Sequence, residues 1–270
     1  MGSYLNPGSM LFRGSLRSKI YVDKSGLIEK INELVCTEQK YVCVSRPRRF
    51  GKSMAANMLA AYYKKDEDTR PLFDKLLISQ SESYEEHLNQ YDVIRINMQQ
   101  FLSETHNMEE MLSKLRNYLI MDLQEAYEKI RFREKTSLVQ TMKDVFAYTG
   151  CPFIILIDEW DCLFREYQKD KEAQKKYLDF LRAWLKDQDY VGLAYMTGIL
   201  PIKKYGSHSA LNMFIEYSMT DPGDVAQYFG FTEGAVALGP QMRRSGIFPI
   251  FAVSNTVSAH ECRFEIRFAR

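Results

Sequence analysis

The chain has no apolar stretch near the ~20 residues that a membrane-spanning helix needs, which excludes a helical span. Its first residues, Met1 to Gly8, lack the basic start and apolar core of a signal peptide, and a cytoplasmic location is expected. Cysteine is sparse: Cys36, Cys43, Cys151, Cys162 and Cys262 make five, an odd number without a C-x-x-C pair. That pattern fits a reducing cytosol better than a disulfide framework. The four histidines, His87, His106, His208 and His260, are scattered, and no zinc-site spacing emerges. Charge of one sign is missing too, because 36 Lys and Arg against 35 Asp and Glu leave +1. Nothing in that balance argues for a nucleic acid or a membrane surface as partner. Neither G-x-S-x-G nor H-E-x-x-H occurs, so hydrolases of those classes have no machinery here.

What is present belongs to a globular α/β chain. Of 270 residues, 46% are hydrophobic and 26% charged, which suits one large α/β domain or two small ones. Leu27, Ile28, Ile31 and Leu34 fall on one face and predict a helix over residues 25–35. Tyr41 to Val44 predicts a strand, and Met54 to Tyr63 a helix. Lys64 to Arg70 reads as a polar connection, and Val93 to Met98 as a second strand. Met108, Met111, Leu112, Leu115, Tyr118 and Leu119 recur at helical spacing and predict a helix over 107–129. Another helix is predicted over 137–148, before the turn Thr149-Gly150-Cys151-Pro152. Phe153 to Ile157 is continuously apolar, as a strand buried on both faces reads. Lys171 to Asp187 is an amphipathic helix with Ala173, Tyr177, Leu181, Trp184 and Leu185 inward, and Val191 to Met196 is a further strand. Strands alternating with helices predict βαβ units and a mostly parallel sheet. From Gly234 to Arg270 there is neither lysine nor aspartate, and no sustained period beyond a short strand candidate at Phe248 to Val253.

The run Val44-Ser45-Arg46-Pro47-Arg48-Arg49-Phe50-Gly51-Lys52-Ser53 carries the chemistry. Gly-Lys-Ser between a buried strand and a helix is the core of a phosphate-binding P-loop (Walker A). Backbone N–H groups cradle phosphates, Lys52 reaches the β- and γ-phosphates, and Ser53 offers its hydroxyl to Mg²⁺. The usual pattern is G-x-x-x-x-G-K-[ST], and its first glycine position holds Arg46. Pro47 stiffens the loop by fixing φ. Arg46, Arg48 and Arg49 either touch phosphate or turn outward to acidic groups such as Asp161. The expected nucleotide contacts are Arg46, Pro47, Arg48, Arg49, Phe50, Gly51, Lys52, Ser53 and Met54.

The second signal is the strand ending Ile157-Asp158-Glu159-Trp160-Asp161, a Walker B arrangement when read with the P-loop and an acidic strand-to-helix turn when read alone. Ligands of open α/β sheets bind at the carboxyl ends of strands. Asp158 is expected in the Mg²⁺ shell beside Ser53, and Glu159 is expected to polarise the attacking water. Asp161 is expected behind the metal site rather than on it. The strand from Val191 runs into Thr197-Gly198, and Thr197 is a candidate to position that water or simply a strand-ending hydroxyl. Lys203 and Lys204 are expected in a basic turn at the same edge. Arg165 and Arg182 are the candidates for an arginine finger.

Tyr21-Val22-Asp23-Lys24-Ser25-Gly26-Leu27-Ile28, Arg46-Pro47-Arg48-Arg49-Phe50-Gly51-Lys52-Ser53, Ile157 to Asp161, Thr197-Gly198-Ile199-Leu200 and Ser209 to Phe214 occur in that order. Together they resemble the bacterial predicted AAA-ATPase family, over about residues 5–233. The resemblance implies a P-loop NTPase three-layer sandwich, with Arg46 normal for the loop. It also implies ATP and Mg²⁺ held by Gly51, Lys52, Ser53, Asp158 and Glu159. Relatives often carry a C-terminal PD-(D/E)xK nuclease-like region for which this chain lacks room. The organisation expected is an N-terminal extension (1–20), an ATPase-like domain (21–233) and a frameshifted or truncated tail (234–270). The leading reading is an Mg²⁺-dependent ATPase that regulates a partner or nuclease-like domain, with a protein partner or a homo-oligomer as the possible assembly. The alternatives are a nucleotide-binding switch with little hydrolysis, or a nucleic-acid-processing protein whose DNA contact lies elsewhere.

Overall fold

The continuous apolar runs become the strands of one sheet. A computed structural model of the chain describes residues 2–19, 21–202 and 211–230. Among these, β1 (Tyr41–Ser45), β2 (Asp92–Asn97), β3 (Phe153–Asp158), β4 (Val191–Gly198) and β5 (Ile215–Tyr217) form a sheet of order β2-β3-β4-β1-β5. Every pairing is parallel. β1, β3 and β4 are buried along their whole length, which explains why they read as unbroken apolar runs rather than alternating ones.

Helices cover both faces. The chain order is α1 (Met10–Leu16), α2 (Gly26–Asn32), α3 (Lys52–Tyr63), α4 (Arg70–Phe73), α5 (Tyr84–His87), α6 (Met98–Ser103), α7 (Met108–Ala126), α8 (Leu138–Thr149), α9 (Cys162–Glu166) and α10 (Lys171–Leu185). α1, α2 and α3 pack on the face of Val42, Val44, Leu156 and Leu193. α7, α8 and α10 pack on the face of Cys43, Ile155, Ile157 and Met196. The result is the helix–sheet–helix sandwich expected from the alternation of periods. Met1–Phe229 forms one compact unit. The composition break expected at residue 234 and the strand candidate at Phe248 lie outside the described residues.

Where elements differ from expectation, a local or long-range contact is the cause. β2 stops at Asn97 rather than Met98, because the Asn97 side chain accepts the Gln100 N–H and starts α6. α10 ends at Leu185, short of Asp187, which takes a left-handed φ of 53°. Tyr118, expected inward on α7, is 38% exposed and stacks on Tyr4 with ring centroids 6.0 Å apart. Lys64, read as part of a polar connection, is fully buried, with Nζ donating to Pro7 O (3.0 Å) and pairing with Asp66 and Glu67. The N-terminal strap covers the β2 edge. Asn6 N donates to Val93 O (2.7 Å), Arg95 N donates to Tyr4 O (2.9 Å), and Leu5 is buried. Covering an edge in this way removes a template for unwanted strand pairing.

Candidate functional site

β1, β3 and β4 deliver their carboxyl ends side by side, and the residues singled out from the sequence gather there. The phosphate loop spans 46–51 between β1 and α3. Gly51 ends it at φ 84°, a conformation that disfavours any Cβ even though the space around it is open. The first turn of α3 follows, with Ala55 N bonded to Gly51 O (2.9 Å). The amides of residues 52–54 are therefore first-turn donors without intrahelical acceptors, which is what an anion at a helix start uses. Ser53 and Met54 are exposed on that turn.

Lys52 is buried and folds back over the loop, donating from Nζ to Arg46 O (2.9 Å) and Pro47 O (2.9 Å). Burial pushes its ammonium below the usual lysine range, and Glu159, Asp158 and Asp161 oppose that shift. Pro47, Arg48 and Arg49 are exposed, Phe50 is half-buried, and Arg49 holds φ 70°. Arg46 is not with them. Its guanidinium is buried on the β5 side, donating to Tyr217 O (2.6 Å) and Ser45 O (3.1 Å) and lying 5.7 Å from the Phe229 ring centre.

Across the loop, the acidic turn Asp158-Glu159-Trp160-Asp161 is bolted to β4. Asp158 is buried; Thr197 donates its hydroxyl to Asp158 Oδ1, and Glu159 N donates to the same oxygen at 3.1 Å. Asp158 Oδ2 is buried and has no hydrogen-bond partner among the described residues. Thr197 therefore orients the carboxylate directly. Trp160 N donates to Thr197 O (3.0 Å), and Tyr177 donates its hydroxyl to Trp160 O (2.7 Å). Asp161 does not pair with the loop arginines. Its Oδ2 accepts from Ile199 N (3.0 Å) and Leu200 N (2.8 Å), pinning the chain where it leaves β4. Gly198 is required there, because a Cβ would stand 2.6 Å from Trp160 Nε1 and 2.9 Å from Asp161 Oδ1.

Glu159 occupies φ 56°, a left-handed position that costs a non-glycine residue about 1 kcal/mol or more. Its carboxylate is engaged by Arg165 Nη2, and Arg165 also reaches Gln99 Oε1 (3.4 Å). Sequence reading singled out Arg165 only as a finger candidate; no local pattern links residues 159 and 165 to residue 99. An open cleft of ≈ 590 Å³ adjoins this pair, with Arg48, Asn97, Gln99 and Gln100 among its walls. Lys203 and Lys204 lie outside the described residues. Arg182 sits in the last turn of α10 and is not among the groups gathered here.

An oxygen-ligated divalent cation fits the donor set. Asp158 presents a buried carboxylate oxygen with no other hydrogen-bond partner among the described residues, and hard cations take carboxylate and hydroxyl oxygens. Ser53 presents an exposed hydroxyl on the first turn of α3.

A phosphate loop between a central strand and its helix, facing an acidic strand end across an inserted β4, defines a P-loop nucleotide-binding α/β fold. The chain belongs to the family described as "Predicted AAA-ATPase", whose match covers residues 15–207. The family is ATPase-like, and its members bind nucleotide. The chain is also 25% identical over 204 residues to an uncharacterized protein of the vnfD 5' region of Azotobacter chroococcum mcd 1. That match covers 74% of this chain and 37% of the relative, so the chain spans well under half of that protein's length. Among the described residues, no helix is long and apolar enough to cross a membrane.

Proposed function

We propose that the domain binds ATP with Mg²⁺ and hydrolyses its β–γ bond. The observation that carries this reading is the buried Asp158 carboxylate, held by Thr197 on one oxygen and without a partner on the other among the described residues, beside the loop that bears Lys52. The phosphates lie on the amides of residues 51–54, and Lys52 turns from its two carbonyls to the β- and γ-oxygens. Mg²⁺, held by Ser53 and Asp158, supplies charge neutralisation of the phosphates. Glu159 orients the attacking water and accepts its proton. The Glu159–Arg165 pair must open for that, which makes the arginine a brake on the base. Arg48 and Arg49, exposed on the loop, complement phosphate charge. Thr197 acts through Asp158 by fixing the carboxylate's orientation. A cytosolic setting suits the four free thiols among the described residues, two of them buried. The energy of turnover serves to move a protein partner or a further region of a longer chain.

The test is nucleotide binding by calorimetry together with phosphate release. Wild type is expected to bind Mg·ATP, and Lys52→Ala to lose at least ~100-fold in affinity, the scale of deleting a charged phosphate contact. Glu159→Gln should keep binding and lose ~10²–10⁴-fold in turnover. Equal release by wild type and Glu159→Gln would leave a nucleotide-binding switch, which the Arg165 contact on Glu159 independently favours.

A further inference from the structure

We propose that Arg46 couples the phosphate loop to the segment that follows β5. The residue is 3% exposed and bonded at both ends. Its backbone N donates to Gly198 O (3.1 Å), and its carbonyl accepts the Lys52 ammonium (2.9 Å). Its guanidinium donates to Tyr217 O (2.6 Å), the last residue of β5, and rests on the Phe229 ring. Between those two contacts the chain makes a short helical turn, Gly223–Tyr228, which packs against α2 and buries Val225. A single residue thus links the lysine of the phosphate site, through its carbonyl, to the last turn of the compact unit, through its side chain.

The substitution of arginine for glycine makes sense in these terms. A glycine at 46 would let the loop turn but would remove the donor that Tyr217 O accepts and the cation that covers the Phe229 face. The guanidinium supplies a planar donor that reaches a carbonyl and covers an aromatic face at once, and a lysine could not do both. Desolvation strengthens each of these contacts. Arg46 Nη2 is buried without a partner among the described residues. This coupling rests on the nucleotide reading above. When Lys52 leaves Arg46 O for phosphate, the peptide between Arg46 and Pro47 is released. Pro47 has no N–H to hold it elsewhere. The displacement passes through the Arg46 side chain to Tyr217 and Phe229. Linkage makes the effect reciprocal, so anything that grips the 223–229 segment changes nucleotide affinity.

Hydrogen–deuterium exchange of the full chain, with and without Mg·ATPγS, tests the coupling, and calorimetry reads binding separately. In wild type, exchange of amides 217–229 should change by about fivefold or more, the low end of ordinary coupling. Phe229→Leu keeps apolar volume and leaves the loop untouched. It should abolish that change while α3 amides 52–55 still respond and affinity moves by no more than about tenfold, the scale of the coupling itself. Arg46→Ala should behave in the same way, with Arg46→Lys restoring only part of the response. Wild type that binds ATPγS with residues 217–229 unaffected overturns the coupling alone. So does Arg46→Ala losing binding ~100-fold while Phe229→Leu matches wild type, which would make Arg46 a phosphate ligand. Wild type that binds no nucleotide overturns both readings.

Discussion

Asp92 and Asp158 stand at opposite ends of neighbouring parallel strands, one opening β2 and the other closing β3, and both are 1% exposed. At the amino end, Asp92 is fully engaged. Oδ1 accepts from Asn6 Nδ2 (2.8 Å), and Oδ2 accepts from Lys65 Nζ (2.7 Å) and from the Tyr127 hydroxyl. At the carboxyl end, Asp158 has both its hydrogen bonds on Oδ1, while Oδ2 has none among the described residues. Asp161 Oδ1 and Arg46 Nη2 are likewise buried without partners among the described residues. A satisfied buried polar network is structural cement, whereas buried groups left unmatched need another explanation. The two ends of one sheet therefore differ: the carboxylate at the amino end is fully paired, and the one at the carboxyl end keeps an oxygen without a partner among the described residues.

Swapping the effects of the two aspartates would break that comparison. Asp158→Ala should lower turnover by ~10²–10³-fold and leave stability unchanged or raised, since it removes a carboxylate desolvated at partial satisfaction. Asp92→Ala should do the reverse. It strands Asn6 and Tyr127 and unpairs Lys65, at a cost of about 3 kcal/mol, or roughly 8 °C in thermal midpoint. Mg·ATP affinity should stay within about twofold, because no part of the phosphate site is touched. Equal losses of stability in the two variants, measured by circular dichroism melts, would erase the contrast.

Gly198→Ala sharpens it at the carboxyl end. The added methyl forces Trp160 or Asp161 to shift, costing about 1–3 kcal/mol and loosening the turn that aims Glu159. The smallest effect belongs to the amino end and is read in acid. Burial opposes ionisation of Glu67, but hydrogen bonds from Ser9, Arg13 and Lys64 outweigh it and hold the carboxyl down to about 2. A depressed folded-state pKa stabilises above the unfolded value near 4.5, and that contribution fades as pH falls toward about 2. Glu67→Gln should therefore flatten the stability profile between those limits and leave it parallel to wild type above them. An unchanged acid slope in urea titrations would exclude the network as a contributor.

Much of this architecture was legible in the chain. Phe153 to Asp158 reads as a buried strand because nothing in it alternates, and β3 has buried residues throughout. α10 turns Ala173, Tyr177, Leu181, Trp184 and Leu185 inward, the face its spacing predicts. The β5 strand was not legible: three residues, Ile215–Tyr217, carry too little period to stand out. Nor was the burial of Lys64, since its partners Asn6 and Pro7 lie 57 or more residues away. At the site, Lys52, Ser53, Asp158, Glu159 and Thr197 were singled out from residue type beside a strand end, and the structure sets them at the carboxyl ends of β1, β3 and β4. The grip of Arg165 on Glu159 and of Asp161 on Ile199 and Leu200 was not, and Asp161 meets Arg165 (3.6 Å) rather than an arginine of the loop.

The sequence by itself determined the element types, the phosphate loop and the acidic strand end, because each depends on residues within a few positions of one another. Periodicity and turn chemistry are local, and they survive in any fold that keeps those neighbours. Only the tertiary structure decided what Arg46 does, which aspartate is cement and which is kept open, and how the strap at Leu5 and Asn6 seals the β2 edge. Those outcomes depend on which distant backbone carbonyl or ring a side chain meets once the strands are ordered β2-β3-β4-β1-β5. An arginine in a phosphate loop carries its charge wherever it points, and the β5 edge gave this one a carbonyl and an aromatic face to point at.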